Sequence, residues 1–180
     1  MSIIPSSSTT QIASLSTTFI STLQTTDIAD FTTSQIAALT TTQMPAFTTT
    51  AIAYMAATQI AALVTADIAA LGTTNVAVLS TTQISSLAAT QIRAFTTTEL
   101  DFLTTTAVSG FGSTQLGALL SSQINGLTTD DLAALSTTQI AYLAATQLAA
   151  LNSTSVSGLA GTQLAALTTT QFSGLTATEI

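Results

Sequence analysis

LSTTQIAYLAATQLAAL, residues 135–151, is one eight-residue phrase written twice in succession. The phrase extends over nearly the whole chain. Stepping by eight from Ile4 through Ile12, Ile20, Ile28 and Ile36 to Ile180 meets only Ile, Leu, Val, Met or Phe. A second series three residues later, from Leu15 to Leu175, contains only Leu, Phe and Met. With the octad labelled a to h, the first series at e and the second at h, the consensus is [ST]-T-T-Q-I-A-A-L. Position c is Thr or Ser at 20 of 22 places, Ala66 and Asp130 being the exceptions. Position d is Gln, Asp, Glu or Asn at 18 of 22, and f and g are mostly Ala, Ser or Gly. No insertion breaks the series. A disordered linker tolerates length changes, so this strictness marks a geometric register, and a fixed short period is the signature of a repeat architecture.

The period excludes the two simplest conformations. In a continuous α-helix an octad advances the chain by about 800°, leaving about 80° of drift per repeat, so the e/h stripe never presents one face. In a flat strand e and h fall on opposite faces, because side chains alternate. The chain therefore bends once per octad. The segment Gln-Ile-Ala-Ala-Leu is made of good helix formers, and e and h share a helical face.

The near-invariant Thr at c is the expected N-cap, its hydroxyl accepting from exposed N–H groups of the first turn. Octads such as AATQIAAL, which lack a hydroxyl at a and b but keep Thr58 at c, favour this placement. Pro45 at f then falls third in its helix, where proline is tolerated. The alternative puts the cap at a and makes a-to-d the capping box S/T-x-x-Q, with h and e as a hydrophobic staple. Six of the eight acids (Asp27, Asp67, Glu99, Asp130, Asp131 and Glu179) lie at c or d, in the first turn, where the helix dipole favours negative charge.

A lone octad buries too little to offset the entropy of ordering it, so neighbouring octads must complete each other's core. The expectation is an all-α solenoid, or superhelix, of short capped helices, one per eight-residue repeat. A β-solenoid with two octads per coil is the alternative, with Thr ladders and turns at Ser109-Gly110, Asn125-Gly126, Ser157-Gly158 and Ser173-Gly174. Residues 1–8 read as an atypical N-terminal segment, with Pro5 present and Ser7 where h calls for an apolar residue. Residues 9–180 read as one continuous repeat domain ending in mid-octad at Ile180.

Composition narrows function further. Only 5% of the 180 residues are charged, Arg93 is the single basic side chain, and the net charge is −7. One cation cannot neutralise a run of phosphates or hold an anionic membrane, so no nucleic-acid partner is expected. There is no Cys, His or Lys, which removes the usual nucleophile–base pairs and zinc ligand sets. The chain is expected not to be an enzyme and to carry no catalytic, cofactor-binding or metal site. Asp130-Asp131 and the Glu99/Asp101 pair read as helix-start residues. Asn152-Ser153-Thr154 matches a glycosylation sequon that a Thr-rich chain supplies by chance. Tyr54, Phe102 and Tyr142, bulky residues at the small g position, read as packing or lateral-contact sites, and Arg93 at f as a surface residue.

The start, MSIIPSSS, lacks the basic region of an ordinary signal peptide. Ala51–Leu71 is long enough to cross a bilayer but is broken by Gln59 and Asp67, so no membrane insertion is expected. A mean hydropathy of +0.59 with so little charge leaves exposed faces of Thr, Ser, Gln and Ala suited to close lateral packing.

The phrase L-[ST]-T-x-Q-[IVL]-x-x-L, over residues 9–180, resembles octapeptide-repeat tracts of large bacterial surface or secreted exoproteins, adhesin-like in character. The resemblance implies an extracellular or cell-surface role, with export directed from a C-terminal region, and supplies no catalytic residue. The expected function is a structural repeat protein that self-associates into a homopolymeric filament, sheath or surface appendage. The alternative is a binding module whose Thr rows contact an ordered surface such as ice or a polysaccharide.

Overall fold

The computed structural model describes residues 3–175; Glu179 and the mid-octad end at Ile180 lie outside the described residues. Twenty short α-helices and two 3-10 turns follow one another, and no strand occurs among the described residues. The all-α solenoid is the observed fold, and the β-solenoid alternative is not.

Each octad supplies one helix of four to six residues. Thr81–Ser86 shows how the bend is made. Ser80, at a, is extended with ψ 161°, the helix follows, and Leu87, at h, returns to extended backbone with ψ 139°. Two consecutive extended residues, h and the next a, thus separate successive helices. Ile4–Ser6 and Met44–Ala46 are 3-10 turns instead, each with proline at its start. Proline at f has no N–H to close the α-helical bond to the residue four back, so the tighter turn replaces it.

The N-cap lies at a, not at c. Ser8, Ser16, Thr32, Thr48, Ser80 and Ser136 accept through the side chain from the backbone N–H of their d residues. The c residue is the second helical residue, and from Thr10 to Thr170 it is exposed in every octad. Its hydroxyl faces away from the free N–H groups of the first turn, which is why the expected cap at c is overturned.

One apolar core runs the length of the solenoid. The e side chains are fully buried from Ile4 to Leu148, and the h side chains from Leu23 to Leu159 are buried beside them. Near the end of the described residues Leu164 is half-buried and Phe172 exposed. Helices three octads apart pack together, as Ala57–Ala62 does with Thr81–Ser86. Side-chain bonds between coils span 25 to 31 residues, so one coil takes roughly 28 residues, about three and a half octads, each sealing its neighbour's core.

The glycines at g are close-approach positions rather than hairpin turns. A Cβ at Gly110 would lie 2.8 Å from the Thr81 carbonyl oxygen of the preceding coil, and one at Gly126 would strike that of Thr97.

Candidate functional site

Among the described residues, d is the only polar position that the fold buries repeatedly. Gln35, Gln43, Gln59, Gln83, Gln91, Gln115, Gln123, Gln147, Gln163 and Gln171 are all buried. Each uses both ends of its amide. Gln83 Oε1 accepts from the Ser80 N–H at 2.8 Å, inside its own first turn. Gln83 Nε2 donates to the carbonyls of Ile52 at 2.9 Å and Met55 at 2.8 Å, in the preceding coil. The same three bonds recur at Gln35, Gln59, Gln115 and Gln147. A short helix leaves N–H groups open at its start and carbonyls open at its end. One glutamine closes a donor of its own helix and two acceptors of a helix one coil back, because its amide carries an acceptor oxygen and two N–H donors on one short arm.

The two halves of the capping box substitute for each other. Where a is Ala, as at Ala56, Ala88, Ala144 and Ala160, no hydroxyl is present, and the N–H of that residue donates to the d glutamine at 2.7–2.8 Å. Where d is Ala, at Ala51 and Ala107, the a residue is Thr48 or Thr104, whose hydroxyl accepts the d N–H at 3.2 Å. Sequence reasoning missed this ladder because its partners lie 28–31 residues away. Octads that drop the hydroxyl at a while keeping Gln at d were the available signal.

The acids at d depart from the pattern because a carboxylate cannot donate. Glu99 is buried, with Oε2 accepting from the Thr96 N–H at 2.9 Å and Oε1 from the Gly72 N–H at 3.0 Å. Asp67 and Asp131 are each 1% exposed, and Asp67 Oδ2 and Asp131 Oδ1 have no hydrogen-bond partner. Burial pushes the Asp67 carboxyl up to about 6, against the lowering effect of the Val64 backbone. Burial also raises Asp131, reinforced by Asp101 and Asp130 and opposed by its bonds to Thr128.

The remaining sequence candidates sit on the surface. Asp101 and Asp130 are exposed, whereas their partners Glu99 and Asp131 are buried ladder residues, so neither acidic pair converges on a shared site. Among the described residues no group of three or more acids is placed to hold a metal ion. Asn152 caps its helix, Oδ1 accepting from the Ser155 N–H at 2.8 Å. Tyr54, Phe102 and Tyr142 project from g with 54%, 50% and 43% of their surface exposed, which leaves them free for contacts outside the coil. Shallow recesses recur where one octad's bend meets the helix start three octads on, as between Leu87-Ala88-Ala89 and Ser113-Thr114-Gln115, and are lined by uncharged side chains. No described helix is long and apolar enough to cross a membrane.

The exposed Thr and Ser at c stand apart. Among the described residues none of their hydroxyls caps a helix, and the hydroxyls that bond between coils come from b, as Thr81 does to the Thr106 carbonyl at 2.9 Å, and from g, as Ser86 does to the Ala57 carbonyl at 3.0 Å. The fold gives this side chain no task, yet the sequence repeats it.

A family model described as the ALTTAQ repeat matches residues 60–97. Its six letters correspond to positions g to d of the octad, as in ALTTTQ at residues 38–43, so this segment of the chain is similar to that repeat. No curated protein matches the chain.

Proposed function

We propose that this repeat protein is a non-enzymatic structural element that self-associates, coil beside coil, into an extracellular filament, sheath or surface appendage. The observation that carries the reading is the exposed hydroxyl row at c, repeated in octad after octad without a role inside the fold. A β-branched residue inside a short helix is a poor choice for helix stability, so its recurrence points outward, to contacts between chains. Two properties support lateral packing: charged side chains are few, so most of the exposed surface is Thr, Ser, Gln and Ala, and Tyr54, Phe102 and Tyr142 offer exposed aromatic contact area. The likeness to bacterial exoprotein repeats supports the extracellular placement, and the lack of Cys, His and Lys supports a role without catalysis.

The second reading, a binding module for ice or a polysaccharide, rests on the same exposed hydroxyls, whose regular recurrence suits contact with an ordered surface. Negative-stain electron microscopy of the purified chain separates the two. Fibres of constant width are expected for assembly. Monodisperse particles that retard ice recrystallisation or are retained by a polysaccharide matrix would replace assembly with the binding module.

A further inference from the structure

Among the described residues three buried d positions carry an acid, and at two of them the preceding coil gives the carboxylate no donor. At d, Asp67 and Asp131 occupy the place where glutamine gives Nε2 to the carbonyls 28 and 31 residues back. For Asp67 those carbonyls belong to Leu39 and Ile36, and for Asp131 to Leu103 and Leu100. Asn75 shows that the shorter arm still reaches: its Nδ2 lies 3.4 Å from the Met44 oxygen and 3.3 Å from the Phe47 oxygen. Aspartate has the same length as asparagine but an oxygen in place of that nitrogen. The oxygens left without partners, Asp67 Oδ2 and Asp131 Oδ1, are buried, while the second oxygen of Asp131 is held by the Thr128 N–H and hydroxyl at 3.0 and 2.7 Å. The chain resolves the same problem differently at Glu99, where the preceding coil turns the Gly72 N–H toward the carboxylate. No such adjustment serves Asp67 or Asp131.

We propose that Asp67 and Asp131 are proton-loaded rungs: protonated, each carboxyl donates its one O–H to a carbonyl of the preceding coil that glutamine serves elsewhere, so the solenoid tightens under mild acidity.

The surroundings leave the proton as the fitting ligand. A divalent cation such as calcium needs six or more oxygens, and one carboxylate with the two carbonyls that a glutamine would serve falls short of that set. Around Asp67, neither the packed helix Ala89–Ile92 nor residues 33–47 of the preceding coil carries a titratable side chain, and Arg93, just beyond that helix, makes no ion pair. Around Asp131, the packed helices Thr105–Val108 and Ser153–Ser157 carry none. Asp101 of the preceding coil and Asp130 beside it favour proton uptake by Asp131, and Glu99 is engaged with Gly72.

The direction follows from linkage. An aspartate in the unfolded chain titrates near about 3.9, whereas folding holds Asp67 at about 6. The folded chain binds the proton more tightly, so the stabilisation is complete below the unfolded value and is lost as pH rises through the folded one. From Asp67 alone the folded-to-unfolded ratio gains up to about 100-fold on acidification, relative to a chain lacking the shift.

The test is urea unfolding of the full chain between pH 7.5 and 4.5, for the wild type, Asp67→Asn, Asp131→Asn and the double variant. The wild-type midpoint is expected to rise as pH falls. The double variant is expected to begin higher at pH 7.5 and to gain much less. Carbon-13 carboxyl NMR of the wild type reads the site directly, with Asp67 expected to titrate near 6. An ordinary aspartate titration, a double variant that keeps the whole wild-type gain, or calcium stabilisation at pH 7.5 that the double variant loses would each overturn the proposal.

Discussion

Gly72 and Glu99 meet across adjacent coils, the Gly72 N–H donating to Glu99 Oε1 at 3.0 Å. At other rungs the preceding coil presents carbonyls to the d side chain; here it presents a donor to a side chain that only accepts. Gly72 has φ 77°, the sole positive φ among the described residues, and this rotation accompanies the changed polarity of the bond. A Cβ at Gly72 would meet nothing within 4 Å, so the position requires glycine for its backbone angle and not for space.

Gly72→Ala is therefore expected to destabilise the chain by about 1–2 kcal/mol through left-handed strain alone. Glu99→Gln sets an amide N–H against a backbone N–H and is expected to cost a similar amount. The double variant restores the arrangement found at Thr32 and Gln59, where the preceding coil offers carbonyls to the glutamine, so it should be more stable than the sum of the singles by about 1 kcal/mol or more. A urea double-mutant cycle measures this coupling, and strict additivity would contradict it.

The ladder itself predicts an order among glutamine deletions. Gln83→Ala takes its partner from the Ser80 N–H and the Met55 carbonyl and leaves the Ile52 carbonyl only the Met55 N–H, at an expected cost of about 2–3 kcal/mol. Gln91→Ala should cost more, because Ala88 has no hydroxyl and the first turn then loses its only side-chain cap. Restoring a hydroxyl with Ala88→Ser in the Gln91→Ala background is expected to recover about 1 kcal/mol. Unfolding midpoints for the three variants decide the order.

How far the fold could be read in advance depended on the range of the interaction. The e and h series, the bend in each octad and the helical character of Gln-Ile-Ala-Ala-Leu are local, and all of them hold in the structure. The cap was misplaced by one face of the helix, because Thr58 and Thr146 persist where a and b are Ala, while the residue that closes those first turns is the glutamine beside them. What the d position does cannot be read from one octad: Gln83 is explained by Ile52 and Met55, and nothing in its own octad names them. Asp67, Glu99 and Asp131 looked like dipole partners for the same reason, and their burial became visible only with coils in place.

Glycine at g and glycine on the helix surface should respond to alanine in opposite directions. Gly126→Ala drives a Cβ into the Thr97 carbonyl and should destabilise by about 1–3 kcal/mol, since backbone on both sides resists the shift. Gly117, within helix Ser113–Ala118, has open space at its Cβ, and Gly117→Ala should stabilise by about 0.5–1 kcal/mol through helix propensity. Thermal melts of the two variants, run side by side, test the sign of each.

Register along the chain predicts which length changes the solenoid survives. Removing residues 160–167 takes out one whole octad, Gln163 included, and Gln171 moves into the place that Gln163 held. Its Nε2 then meets the carbonyls of Ala133 and Leu135, which Gln163 serves in the intact chain and which occupy the same f and h places as Ala141 and Leu143. Every e still follows an e, so the core stays continuous and cooperative unfolding should persist, with a urea m-value reduced in proportion to the surface lost. A single residue inserted between Ala149 and Ala150 instead separates e from h in the turn that follows helix Ala145–Leu148, so Leu148 and Leu151 no longer face the core together. Both are core side chains, 0% and 2% exposed, so the insertion should cost about 2–5 kcal/mol, comparable to truncating a buried leucine. The smaller change in length is the more damaging one, and circular dichroism with urea titration would show it; equal tolerance of the insertion and the octad deletion would mean that the eight-residue register does not hold the coils together.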